Sequence, residues 1–327
     1  MHPALSHEKL QALGIYDFGV TTLSRPLSFD QFSAWIDKGD HGPLSYLADH
    51  RRDLREDIKK FFPEFQSALV FLFPYAQSRF EREDTPNHLA SYVTGFKGLD
   101  YHHVIKERLE LIGNQLKESD PSLVIKLSLD VHPVLERDLA YRAGLGWFGK
   151  NSMFISKELG SFVMLGSLLL SKEIVQETRE LEVDHCGSCS ACVPACPTDA
   201  ITPDARTIVA SKCISTWTIE LFKDAPVIEG MERATGELFG CDLCQDVCPW
   251  NKRLERQNSY PQTHEGGQAN ELLADFFCRR PLESVASELE AMSNSGFRKK
   301  FKGTAIERTG RVGLLKNVQF WINQDSK

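Results

Sequence analysis

All nine cysteines of this 327-residue chain lie at or beyond residue 186, and their spacing implies electron transfer. Cys186, Cys189, Cys192 and Cys196-Pro197 form C-x2-C-x2-C-x3-C-P. In this run three thiolates converge on one 4Fe–4S cubane and the fourth ligates a second cluster. A second set follows the same logic: Cys241, Cys244 and Cys248-Pro249 repeat the end of the pattern, and Cys213 lies upstream as the missing ligand. The crossing rule gives cluster one Cys186, Cys189, Cys192 and Cys248, and cluster two Cys196, Cys213, Cys241 and Cys244. The alternative is a pair of all-cysteine structural zinc sites, but close-set cysteines ending twice in Cys-Pro fit zinc poorly. Cys278, in DFFCRR, is left over and reads as a small core residue.

These ligands need elements to hold them. The first 180 or so residues carry no cysteine and read as alternating strands and helices, an α/β or α+β domain. Ser67 to Phe73 is a short apolar run consistent with a buried strand. Ile105, Leu109, Ile112 and Leu116 recur at helical spacing and predict an amphipathic helix over Tyr101 to Lys117. Leu123 to Leu129 reads as a strand with Asp130 at its end. Pro133 opens a helix that stops at Gly144. LGWFGKN (residues 145–151) is too glycine-rich for regular structure, and SMFIS and SFVMLGSLLL, separated by KELG, suggest a hairpin. A charged stretch from Ser171 to Asp184 leads to a ferredoxin-like module. A polar segment from Glu255 to Asn270 then leads into a helical tail. The resulting division is 1–180, 181–254 and 255–327.

Composition narrows the class. With 42% hydrophobic residues the chain has ample material for a packed core, and it holds no apolar run long enough for a membrane span and no secretory signal pattern. A cytoplasmic protein is expected, where clustered thiols bind metal rather than form disulfides. The net charge of −7 excludes a uniformly basic nucleic-acid coat but not a local basic face. Clusters carry single electrons, so a large preceding domain implies a second redox centre or substrate. No glycine fingerprint for a flavin, a nicotinamide or a nucleotide phosphate is present.

Asp100-Tyr101-His102, Asp130 with PVLERDLAYRAGLGWFGKN (Pro133 to Asn151), ELGSFVMLG (Glu158 to Gly166), the two cysteine runs and Cys213-Ile-Ser together resemble epoxyqueuosine reductase over nearly the whole chain. The resemblance implies a cobalamin-binding domain joined to two 4Fe–4S clusters, as in the related reductive dehalogenases. It also implies reduction of epoxyqueuosine to queuosine at the wobble position of tRNA. It places the catalytic proton donor at Asp130, whose carboxyl would need a pKa raised by burial or a neighbouring negative charge to donate near neutrality. Glu136, beside Arg137, is the second candidate. The plainer reading of Asp130 is a turn or helix cap.

Tyr101, His102, Lys150, Asn151, Ser152 and Ser215 are candidate cobalamin contacts, each with a plain capping or surface-turn alternative. Trp147 is a candidate for stacking on the flipped-out base, or core. Between Phe297 and Lys316, Arg298, Lys299, Lys300, Lys302, Arg308, Arg311 and Lys316 against Glu307 form a basic stretch suited to tRNA phosphates; a solvated helical face is the alternative. The chain ends soon after GRVGLLKN (Gly310 to Asn317), where many members of that family continue into helical repeats. A monomer served by an unidentified low-potential electron donor completes the expectation. The rival readings are a corrinoid reductase of a small molecule and a non-enzymatic electron carrier.

Overall fold

The computed structural model describes residues 2–76, 85–174, 179–257 and 268–325. Its strands are β1 (Asp17–Thr22), β2 (Ser67–Pro74), β3 (His88–Leu89), β4 (Ile125–Ser128), β5 (Trp147–Phe148), β6 (Phe154–Ile155), β7 (Val163–Leu170), β8 (Ile201–Thr202), β9 (Thr207–Ile208) and β10 (Glu237–Phe239). The main sheet has the order β1-β2-β7-β4, antiparallel throughout. Of the two expected classes this is α+β: among the described residues parallel pairing is confined to the short β3–β10 ladder.

Every residue of β2 is buried, because helices cover both faces of the sheet. Leu69, Phe71 and Phe73 join Ile105, Leu109, Ile112 and Leu116 of the helix Tyr101–Ser119 in one core. Ala68, Val70 and Leu72 point the other way and join Leu139, Ala140 and Ala143, in and just after the helix Glu136–Arg142. The period-2 alternation of a strand thus divides one apolar run between two cores. β4 is the edge strand, so the chain leaving its end at Leu129 and Asp130 emerges between the starts of those two helices.

Three local expectations change. The helix expected from Pro133 begins at Glu136, because the chain turns tightly first: the Val134 N–H donates to the His132 carbonyl at 2.8 Å, and Asp130 has φ +30°. It ends as expected at Gly144, whose φ of +69° suits glycine. The glycine-rich segment is not wholly irregular, since Trp147 and Phe148 pair with Ile155 and Phe154. The expected hairpin is not formed by its two strands. Only the Ser156–Gly160 bridge closes the KELG turn, β6 returns to β5, and β7 pairs on both sides with β2 and β4. A strand apolar on both faces belongs at the centre of a covered sheet.

Beyond β7, part of the Ser171–Asp184 crossing (175–178) and most of the polar segment (258–267) lie outside the described residues. The helices Leu282–Ala291, Asn294–Lys300 and Gly310–Asp325 come after them. Phe297, Phe301, Leu314 and Val318 share one core with Val93, Trp217 and Phe239. Cys278 is 1% exposed in that core. Among the described residues no helix is long and apolar enough to cross a membrane.

Candidate active site and cluster ligands

Asp130 lies just past β4 and is met from both faces of the sheet. From the first turn of the helix Tyr101–Ser119, the Tyr101 hydroxyl donates to Asp130 Oδ2 at 2.5 Å, and His102 Nε2 lies 2.6 Å from Asp130 Oδ1. Asp100 caps that helix, accepting the His102 backbone N–H at 2.9 Å, while its Oδ1 lies 2.7 Å from His102 Nδ1. From the other face, Glu136 Oε1 accepts the Asp130 backbone N–H at 2.7 Å. The result is a carboxylate–imidazole–carboxylate chain with a phenol on one side and a second carboxyl behind it.

The electrostatics invert the expectation for Asp130. Burial pushes its carboxyl up, but the hydrogen bond and charge of His102 and the Tyr101 hydroxyl together hold it below its ordinary value. Burial works against a charged His102, yet its two carboxylate partners raise it to about 9. The raised carboxyl is Glu136, pushed to about 8 by burial and by the negative charge of Asp130. Near neutrality the protons therefore sit on His102 and Glu136.

The Asp130 side chain is 38% exposed and Arg137 is also exposed, although protein surrounds both on most sides. Asp130 thus stands at a polar site that solvent reaches. Tyr101, Tyr92 and Asp130 all act electrostatically on Arg308, and Asp130 and Arg308 both act on Tyr46, so the C-terminal segment comes near this site. Arg308 also pairs with Glu220 at 2.6 Å. The hydroxyl, imidazole and guanidinium groups gathered around Asp130 are partners suited to an amide-rich ligand such as a corrin. The sequence alone did not mark Asp100, Tyr92 and Glu220 as working groups; the polar residue directly ahead of a strongly periodic helix was the available signal for Asp100.

The eight candidate cluster cysteines separate largely into two electrostatic neighbourhoods, although Cys244 also feels Cys192. Cys192 feels Cys186, Cys248 and Cys189, and Cys248 feels Cys186 and Cys189. Cys241 feels Cys244 and Cys213, and Cys244 feels Cys213 and Cys196 most strongly among cysteines. Backbone N–H groups point at several sulfurs: Ala200 N–H to Cys196 Sγ at 3.4 Å, those of Ser215 and Thr216 to Cys213, and those of Trp250 and Asn251 to Cys248. Donors aimed at sulfur suit thiolates bound to a cluster. Buried Trp147 packs with Cys248 and Cys186, and its Nε1 finds no partner among the described residues. An orphaned indole N–H beside the first ligand set likewise fits a sulfur-rich group there. No three His, Cys, Asp or Glu side chains among the described residues converge on a single-ion site. A cubane takes its thiolates from further apart than one ion does.

Several other candidates hold positions unlike those expected. Lys150 donates to the carbonyls of Gly187 at 2.7 Å and Cys189 at 2.8 Å, bracing the first cysteine loop. Asn151 is buried, with Nδ2 3.4 Å from the Cys244 carbonyl and Oδ1 accepting the Met153 N–H. Ser152, at φ +66°, accepts from Arg137 through both its carbonyl and its hydroxyl, the latter at 2.8 Å. Ser215 lies in the helix behind Cys213. Trp147 is 2% exposed and packs edge-on against His185 and Trp250, which removes it as a platform for a base. In the tail, Lys300 binds Glu288 at 2.6 Å, Arg308 binds Glu220, Arg311 reaches Asn294 and the Leu289 carbonyl, and Lys316 donates to the carbonyls of Trp217 and Leu221. Arg298, Lys299 and Lys302 are exposed.

Two family models match: "Epoxyqueuosine reductase QueG, DUF1730" over residues 55–130, and "4Fe-4S double cluster binding domain" over residues 185–251. The chain is 37% identical over 293 residues to an epoxyqueuosine reductase of Cyclobacterium marinum, covering 89% of this chain and 87% of that protein. It is similar to a crystal structure of epoxyqueuosine reductase with an epoxyqueuosine-modified tRNA-Tyr stem loop (TM-score 0.76, 26% identity, 95% of this chain and 78% of that one). It is also similar to the Bacillus subtilis enzyme captured with its catalytic aspartate loop swung out of the active site (TM-score 0.75, 26% identity, the same coverage). Identity of this degree over nearly the full length, with both family models matched, places the chain in the epoxyqueuosine reductase family.

Proposed function

We propose that this protein reduces the epoxide of epoxyqueuosine in the tRNA anticodon to give queuosine, using cobalamin and two 4Fe–4S clusters. The observation that carries the reading is Asp130 held between Tyr101 and His102, on a chain that also supplies two groups of four cysteines. Opening the epoxide and losing its oxygen as water takes two electrons and two protons. When bound, the clusters and the corrin cobalt supply the electrons; the chain's own groups manage the protons.

Asp130 is the donor that faces solvent and substrate. Since its carboxyl is held low, it does not store the proton. His102, charged up to about 9, stores it and passes it through the 2.6 Å contact as negative charge develops on the departing oxygen. Asp100 fixes the imidazole from its far side and stabilises the charged form. Tyr101 orients the Asp130 carboxyl through Oδ2. Residues 1–180 carry corrin and substrate, 181–254 the clusters, and 255–327 a basic tail. We assign cluster one to Cys186, Cys189, Cys192 and Cys248, and cluster two to Cys196, Cys213, Cys241 and Cys244. Exposed Arg298, Lys299 and Lys302 meet tRNA phosphates. The protein acts in the cytoplasm as a monomer with a low-potential donor.

The test is anaerobic turnover of protein reconstituted with iron, sulfide and cobalamin, on tRNA carrying epoxyqueuosine, read by nucleoside mass. Loss of one oxygen dependent on cobalamin is expected. No conversion by protein fully loaded with clusters and corrin would overturn the assignment.

A further inference from the structure

We infer that Glu136 is a positioning residue that latches the Asp130 loop in place through the backbone N–H of Asp130 itself. The inference rests on the reading of Asp130 as proton donor and adds what holds that donor in place. Asp130 stands at φ +30°, a conformation that L-residues with side chains rarely adopt. It lies between an edge strand and a tight turn, with exposed Val131 next to it. A loop so placed is held by few contacts. Those from Tyr101 and His102 go to the carboxylate, the group that must change protonation and face substrate. The contact to Glu136 goes to the main chain, so it persists whatever the carboxylate does.

Glu136 is well placed for this work. It is the first residue of the helix Glu136–Arg142, whose Leu139 and Ala140 are locked in the core beneath the sheet. The next side chain, Arg137, ties the same helix start to Ser152. The latch is therefore anchored to a rigid element while the loop it holds is not. Because the Glu136 carboxyl is raised to about 8, it is largely uncharged near neutrality and accepts the N–H without repelling the neighbouring carboxylate. In the Bacillus subtilis relative the catalytic aspartate loop has been seen swung out, so such a loop has an alternative position to be held against.

The experiment compares Glu136→Ala and Glu136→Gln in the reconstituted holoenzyme. Amide hydrogen exchange over residues 129–135 and turnover on epoxyqueuosine tRNA are measured together. Glutamine keeps a carbonyl oxygen to accept the N–H and removes the titrating proton. Glu136→Ala should raise exchange at Asp130 and lower kcat by about two- to tenfold, as loss of one hydrogen bond between uncharged groups does, with tRNA KM and iron content unchanged. Glu136→Gln should keep wild-type exchange and most of kcat. The latch is overturned if Glu136→Ala leaves exchange unchanged. It is equally overturned if Glu136→Gln loses turnover as fully as Glu136→Ala while exchange stays at the wild-type level, which would make the carboxyl an acid instead. The exchange readout does not need the proposed substrate, so failure of the functional reading is distinguishable from failure of the latch.

Discussion

In the proposed reaction Asp130 relays a proton, and because His102 and Tyr101 keep its carboxylate ionised, that proton arrives through His102 rather than waiting on the aspartate. Asp130→Asn should therefore abolish turnover, by about 10²-fold or more for loss of a general acid, while iron, sulfide and corrin content persist. Metal analysis and single-turnover rates check both halves. Stability should report the proton inventory as well. The folded state holds a proton on Glu136 up to about 8 against an ordinary 4.5, and on His102 up to about 9 against 6.5. Each group binds more protons folded than unfolded within its window. The stability each contributes is complete below its ordinary value and is lost as pH rises through the folded one. Thermal midpoints should fall across this range, and Glu136→Gln should flatten the part between 4.5 and about 8. A difference between variant and wild type that does not change with pH would refute the raised value.

At the scale of elements, Asp130 is met from both sides because two helices on opposite faces of one antiparallel sheet begin at the same edge, beside the end of β4. A second junction holds the cluster module to this sheet. Asn251, in the helix Pro249–Arg256 directly after Cys248, accepts the Ser161 N–H at 2.7 Å. It donates to Ser161 Oγ at 2.9 Å and to the Gln245 carbonyl at 2.8 Å, all buried just ahead of β7. Gly160, at φ +65°, lies so close that an added Cβ would stand 2.0 Å from Asn251 Oδ1. Asn251→Ala leaves a buried N–H unpaired and should cost about 2–3 kcal/mol, visible as a lower thermal midpoint and faster cluster loss to a chelator. Gly160→Ala, strained in its backbone and overlapping the same side chain, should behave in the same direction.

For the whole molecule, the basic charges left exposed for the proposed tRNA contact are fewer than the charges in the sequence. Of the basic residues between Phe297 and Lys316, Lys300, Arg308, Arg311 and Lys316 are engaged with Glu288, Glu220, Asn294 and the Leu289 carbonyl, and the Trp217 and Leu221 carbonyls, respectively. Replacing Arg298, Lys299 and Lys302 by alanine should weaken tRNA binding and reduce the slope of log affinity against log salt by roughly 2 to 3. The Lys316→Ala variant should leave that slope unchanged and lower stability instead. Filter binding across a salt series separates the two.

The sequence by itself determined the two cysteine runs from which the crossed ligand sets are proposed, the buried strand β2, the helix at Tyr101 with its four core positions, and the stop at Gly144. Each of these is local: ligand spacing, side-chain period and backbone freedom act over a few residues. Asp130 stood out only through family resemblance, since a lone aspartate after a strand reads equally well as a cap. The tertiary structure decided which carboxyl holds a proton, because the shifts of Asp130 and Glu136 come from burial and from charges on His102 and on each other, brought together across a sheet. It also decided that β7 is a central strand instead of half a hairpin, that Trp147 is core, and that most of the basic tail is already paired. Pairing across a sheet and charge neutralisation between distant segments depend on which surfaces meet, and no spacing along one chain encodes that.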